Sequence, residues 1–162
     1  MFHLTRLALA SLLALAVSGC AMVSVGSVSS EDYLSARRGD VLTTGQLSAS
    51  ARTALQVVGT DEGRCNANIS ECRKQLIASI GLSDEQRLST VSELWLKEAL
   101  QNEEAQKLEP ANDALKAATL SAYLESAKHA YAYLFFTQRT PDLRAMEDRQ
   151  SQVRDYYNFS TQ

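Results

Sequence analysis

The sequence predicts an all-α domain: an antiparallel bundle of about four to five helices that follows a cleaved signal peptide. Three observations carry that reading. Strand-like alternation of Val, Ile and Thr is almost absent, and the chain has only 7 Gly and 2 Pro in 162 residues. Apolar residues recur instead at the three-and-four spacing of a helix face. Most of these periodic stretches open on Ser, Thr or Asn and close on Gly or Pro, the usual start and stop chemistry of helices.

The longest such stretch is 112–138, which contains no Gly or Pro and is rich in Ala, the strongest helix former. On a helical wheel its polar positions collapse into a narrow strip of Ser121, Glu125, Lys128 and Ala132. One flank carries Leu120, Tyr123, Leu124, Ala127, Tyr131, Leu134 and Phe135; the other carries Leu115, Ala122 and Tyr133. A helix apolar over most of its circumference is expected to be wedged between neighbours. The reading makes it the core of the domain, with both flanks buried.

The chain has room for one domain with a modest core. At 45 % hydrophobic and 22 % charged residues its composition is that of a folded protein. A net charge of −3 with no block of like charges gives no footprint for nucleic acid.

Residues 1–19 read as a secretory signal, with Arg6 in the basic region and an apolar run from Leu7 to Val17 broken only by Ser11. That run is shorter than the ~20 apolar residues needed to span a bilayer. Val17-Ser18-Gly19-Cys20 resembles the bacterial lipobox, in which a small residue precedes the cysteine that is lipidated and becomes the first residue of the mature protein. Val stands where Leu is commoner. The rival is an ordinary signal peptide with a chance cysteine. Ala21 rather than Asp after Cys20 points, by the bacterial sorting pattern, to the outer membrane. Acyl chains buried at about 0.8 kcal/mol per CH₂ would hold the chain there, its domain facing the periplasm. Residues 20–30, small and Ser-rich, read as a flexible tether. The helical domain then occupies 31–162.

Within that domain, Arg38-Gly39-Asp40 spells an integrin-binding tripeptide, which a Gly-Asp turn after two solvated arginines explains without any ligand. A helix starts near Ser48, buries Leu47, Ala51, Ala54, Leu55 and Val58, and stops at Gly59.

Cys65 and Cys72 come next. On one continuous helix they would lie roughly 10 Å apart along the axis, beyond the reach of a disulfide. If they pair, Cys65 lies in a loop and the chain turns back around 66–70, with Asn68 or Ser70 capping a helix to Ile80. A structural disulfide suits an oxidising compartment and an even count once Cys20 is lipidated. A metal site lacks further ligands, and a redox pair is more often C-x-x-C.

Ser83 and Gln86 fit a capping box that opens a helix with Leu88, Val91, Trp95 and Ala99 as its apolar stripe, ending before Pro110. Trp95 reads as a core anchor rather than a ligand platform. Thr140-Pro141-Asp142 restarts the chain, and Leu143, Met146, Gln150, Val153 and Tyr157 are expected to line one face. The aromatic end, Tyr156, Tyr157 and Phe159, either docks on the core or marks a sequence that continues.

No nucleophile elbow, phosphate loop, zinc-protease motif or calcium loop is present, and no cofactor or metal motif. Past residue 20 the one histidine is His129, one turn after Glu125, and an i, i+4 pair with that acid is the expected role. The adjacent acid pairs Glu103-Glu104 and Glu147-Asp148 fall on polar faces. No catalytic motif is visible in the sequence.

The stretches 37–45, 93–96, 131–136 and 148–158 (RRGDVLTTG, ELWL, YAYLFF and DRQSQVRDYYN) resemble the N-terminal helical region of proteobacterial lipoproteins of the α/β-hydrolase class. The resemblance covers nearly all of the mature chain and implies an accessory helical module, with a serine-hydrolase domain expected downstream. It carries no hydrolase residue onto this sequence. Two functions follow. The first is a non-catalytic, membrane-anchored lipoprotein whose helical domain binds or positions a protein partner. The alternative is the N-terminal accessory module of a lipid-anchored esterase or lipase, and a small-ligand pocket between helices remains a third.

Overall fold

The computed structural model describes Ser29 and residues 38–162 of the chain. The signal peptide, Cys20 and the tether therefore lie outside the described residues. Among those residues the secondary structure is helical throughout: α1 (Ala49–Val57), α2 (Glu62–Ala67), α3 (Ile69–Ala78), α4 (Asp84–Leu108), α5 (Asp113–Phe136), a 3₁₀ turn (Pro141–Arg144) and α6 (Asp148–Ser160). The fold class is the all-α bundle the periodicity predicts, with six described α-helices where about four to five were expected.

The ends of these helices follow from local chemistry. Ser48, Asp61, Asn68, Ser83 and Asn112 each accept a first-turn backbone N–H through the side chain. Ser83 and Gln86 form the full capping box. Gly59, at φ +79°, ends α1 in a Schellman turn: its N–H reaches Gln56 O at 3.1 Å and that of Thr60 reaches Leu55 O at 3.0 Å.

Cys65 and Cys72 are disulfide-bonded, with Cα atoms 5.2 Å apart. The chain does turn back at Asn68, which ends α2 and caps α3. Cys65 itself, however, sits inside α2 rather than in a loop. One short extra helical turn, capped by Asp61, brings the two sulfurs together and raises the helix count.

The centre of the bundle is α4, not α5. Nine of its residues between Ser89 and Ala99 are buried, because α1, α3, α5 and α6 all pack on it. α5 runs antiparallel to α4: Gln106 bonds Thr119 near the connection, and Ser92 bonds Ser126 further along. The serine contact is reciprocal. Each hydroxyl donates to the other residue's backbone carbonyl at 3.0 Å, which requires the two backbones to approach closely.

That approach decides which face of α5 is inside. Thr119, Ala122, Ser126, Ala127, Ala130, Tyr133 and Leu134 are buried. Leu120 is 70 % exposed, Leu124 56 %, Tyr131 44 % and Phe135 59 %. The expectation that this large-residue flank is core is therefore wrong, and only Ala127 and Leu134 of it are buried. Interaxial distance depends on the side chains at the contact, and α5 turns its small and hydroxylated side to α4. The strip of Ser121, Glu125, Lys128 and Ala132 faces outward or is half-covered, as expected.

α6 needs a second correction. The restart at Thr140 and Pro141 gives only the 3₁₀ turn, and α6 begins at Asp148. The break shifts the register, so Leu143 and Met146 are exposed, not aligned with Val153. Gln152, Val153 and Tyr156 turn inward. The tripeptide at Arg38 is a turn held by Asp40, whose buried carboxylate accepts from Leu42 N and Thr43 N at 3.1 and 3.0 Å.

Ala130 is fully buried on the close-packed side of α5, whereas Lys128 is exposed. Ala130→Leu should overpack the contact and lower stability by about 1–3 kcal/mol. Lys128→Leu should stay within about 0.5 kcal/mol of the parent. Urea unfolding of both variants checks this; an unchanged midpoint for Ala130→Leu would contradict the packing described.

Candidate functional site

The interior holds charges that a helix-face reading places outside. Glu93 lies in the middle of α4 with no solvent exposure. A carboxylate there must be neutralised and hydrogen-bonded, since an isolated buried charge costs many kcal/mol. It is. Its Oε1 accepts from Ser48 N at 2.6 Å, and its Oε2 accepts from Ser48 Oγ at 2.7 Å and Arg149 Nη1 at 2.6 Å. Burial works against the charge on Arg149, and Glu93 outweighs it and raises the guanidinium pKa. The same surroundings push the Tyr156 hydroxyl well above its usual range: burial first, then the charge of Glu93.

One turn along α4, Lys97 donates to Glu62 Oε1 at 2.9 Å and to Gly45 O at 3.3 Å. Glu62 also accepts from Leu47 N at 2.9 Å. Burial alone would raise the Glu62 pKa; the Leu47 N–H and Lys97 together reverse it, and the net shift is downward. Arg144, fully buried, donates Nη2 to Tyr133 O at 3.0 Å and lies 4.3 Å from the Tyr133 ring centre. It covers carbonyls at the C-terminal end of α5, where a cation is favoured.

Beside this network is a cavity of about 280 Å³, walled by α1, α4, Tyr133, Arg139, Glu147 and Arg149. Arg139 closes one side: its Nε donates to both oxygens of Glu85 at 3.0 Å, and its Nη1 to Glu147 Oε1 at 2.6 Å. The Arg139 hydrogen bond holds the Glu85 carboxyl below its ordinary pKa.

A second recess, about 550 Å³, lies between α5 and the end of α6. Leu120, Leu124 and Phe159 line it with Tyr123. The Tyr123 and Phe159 rings are 6.1 Å apart. Burial, and then the nearby Glu103 carboxylate, raise the pKa of the Tyr123 hydroxyl.

The residues singled out by sequence lie elsewhere. The disulfide joins α2 to α3, and neither cysteine lines either recess. His129 does not pair with the Glu125 side chain: its Nδ1 contacts Glu125 O at 2.7 Å, and the carboxylate bonds Lys128 at 2.6 Å. Glu147 serves Arg139, and Asp148 pairs with Arg38 at 3.2 Å. Trp95 is partly buried with the Arg73 guanidinium over its ring, a packing role. No cluster of three metal-ligating side chains occurs among the described residues, and none of their helices is long and apolar enough to cross a membrane. Sequence reasoning missed Glu93, Arg144 and Arg149. The chain matches no protein-family model, no curated protein and no solved structure.

Removing one member of the buried pair strands the other. Glu93→Leu should cost about 3–5 kcal/mol, and adding Arg149→Leu should recover much of that loss. A double-mutant cycle by urea unfolding measures it, and simple additivity would contradict the pairing.

Glu62 and Glu85 both have folded-state pKa values below the ordinary 4.5. A group lowered on folding contributes stability that is fully present above its unfolded pKa and lost as pH falls through the folded one. The urea midpoint should therefore decline as pH drops below about 4.5, and the decline should be shallower in Glu85→Gln.

Proposed function

We infer that the chain is a membrane-anchored bacterial lipoprotein whose helical domain, facing the periplasm, holds a protein partner and performs no catalysis. The single observation that carries the docking role is the outer side of α5. Leu120, Leu124, Tyr131, Phe135 and Phe136 stand exposed along it, and Phe159 of α6 joins them. The rings of Tyr131 and Phe135 lie 4.8 Å apart, and Tyr131 and Tyr157 5.9 Å. Large contiguous apolar patches on a folded surface mark interaction sites, and aromatic residues are enriched at the centres of such contacts.

The recess beside Leu124 and Phe159 suits an apolar side chain from an amphipathic helix, seated as an anchor in a groove. The anchor at Cys20 follows from the lipobox-like sequence. Concentrating the domain at a membrane raises its effective concentration for a partner confined to the same compartment. In the accessory-module reading the same face of α5 would be covered by a hydrolase domain on the same polypeptide.

A photo-crosslinking residue at Phe135 in intact cells, combined with fractionation, tests both parts. The parent protein should pellet with membranes and give a discrete adduct. Cys20→Ala should move it to the soluble fraction. Leu124→Glu should abolish the adduct without changing the melting temperature. Pelleting that survives Cys20→Ala would end the lipoprotein reading, and an adduct indifferent to Leu124→Glu would end the docking one. Reading the gene past codon 162 separates the two kinds of partner, since an open frame with G-x-S-x-G identifies a hydrolase.

A further inference from the structure

The large exposed side chains of α5 stand in a symmetric order. Leu120, Leu124, Tyr131 and Phe135 are separated by four, seven and four residues, a spacing that reads the same in both directions about a midpoint between Ala127 and Lys128. At 3.6 residues per turn they fall within about 60° of one another around the helix, and each is at least 44 % exposed. Leucines occupy one half of the stripe and aromatic rings the other. A second α5 laid antiparallel on the first, with a two-fold axis at that midpoint, sets Leu120 opposite Phe135 and Leu124 opposite Tyr131. The symmetry makes each of those contacts twice, which is the self-complementarity an isologous interface requires.

The recess gives this register a seat. Leu120, Leu124 and Phe159 line it, and Phe135 of the second copy, opposite Leu120, arrives at its mouth. Charge agrees with the pairing. Lys128 lies beside the midpoint, where a bare lysine would face its own copy. Glu125 bonds it at 2.6 Å within the same helix, and Lys116 pairs with Asp113 at 3.1 Å. These charges cancel inside α5. A neutral stripe selects no oppositely charged partner and lets two identical surfaces meet without repulsion. The area suffices as well. With aromatic side chains of roughly 150–250 Å² each, the exposed parts of these four residues, Phe136 and Phe159 come to roughly 600 Å² per copy. Specific interfaces bury roughly 600–1,000 Å² per partner.

We propose that the outer stripe of α5 is a homodimer interface, in which two copies pair antiparallel and each inserts Phe135 into the recess of the other. This rests on the docking role inferred for the face and names its occupant, a second copy of this chain. An interface at the lower end of the stable range gives a reversible dimer that dissociates on dilution.

Thiol crosslinking of the full chain in a Cys20→Ala background tests the register. Cys65 and Cys72 are bonded to each other, so an introduced cysteine is then the one available thiol. With a bis-maleimide of about 10 Å reach, the distance between packed helices, Lys128→Cys should link to itself. Leu120→Cys should not, because its counterpart lies about 22 Å away along the helix axis. Mixed with Phe135→Cys, it should link. In sedimentation velocity the parent should shift from monomer to dimer as concentration rises. Leu124→Glu should raise the dissociation constant by about tenfold or more at an unchanged melting temperature. A parent that stays monomeric up to about 100 µM would overturn the proposal, as would self-linking of Leu120→Cys as complete as that of Lys128→Cys. The photo-adduct at Phe135 separates the two readings. An adduct with a different protein, from a chain that sediments as a monomer, ends the dimer and keeps the docking role; no adduct at all ends both.

Discussion

The arrangement of this bundle depends on the carboxylate of Glu93. A charge with no solvent exposure in the middle of a helix has to be met by donors, and those donors come from distant parts of the chain. Ser48 lies 45 residues before it and Arg149 56 residues after it. Ser48 is at the same time the N-cap of α1, so the acid fixes where that helix begins. Lys97 repeats the device one turn on, tying Glu62 and the Gly45 carbonyl to α4. Apolar packing tolerates sliding and rotation of helices. Hydrogen bonds of 2.6–2.9 Å to a buried charge do not, and α4 carries two such charges, Glu93 and Lys97, on one side.

This explains what could be read from the sequence and what could not. Helix ends were legible, because capping is local: Ser48, Asn68, Ser83 with Gln86, and Asn112 all act within four residues of themselves. The disulfide was legible from the even count of cysteines left once Cys20 is set aside, apart from the helical turn around Cys65. The α1 face was legible too, with Leu47, Ala51, Ala54 and Leu55 buried, but the buried faces of α5 and α6 were not. Periodicity ranks faces by hydrophobicity, but α5 is chosen by size, and Ser126 against Ser92 excludes the leucine side. In α6 the 3₁₀ turn broke the register that joined Met146 to Val153. Glu93 did leave a trace, as a lone acid inside the apolar stretch TVSELWL, since a charge at such a place needs a partner. Arg149 left none, because it lies among the polar residues DRQSQ.

α5 thus has two apolar sides that behave differently. The small-residue side is matched to α4 and completes the fold. The large-residue side leaves in water half or more of several Leu and Phe side chains whose complete burial is worth about 1.5–3 kcal/mol each. Leaving several of them in water is a cost that the fold by itself does not require, since exposed helix positions accept polar residues freely. The sequence places Lys128 and Glu125 beside them, so polar residues were compatible with this part of the helix. Aromatic and leucine side chains there are better explained by contact with another molecule than by the packing of this one.

The two recesses differ in how firmly they are built. The cavity at the start of α6 is framed by ion pairs, Arg149 with Glu93 on one side and Arg139 with Glu85 and Glu147 on the other. Those directional bonds hold its walls in place, most firmly at the buried Arg149–Glu93 pair. The groove at the far end of α6 is framed by Tyr123, Leu124 and Phe159 with few directional bonds. Ten residues of helix, about 15 Å, separate Arg149 from Phe159. Local opening is easiest where directional bonds are few, so the Phe159 end is the part of α6 able to adjust to a partner. Ion pairs thus pin one end of α6, while apolar contacts hold the other.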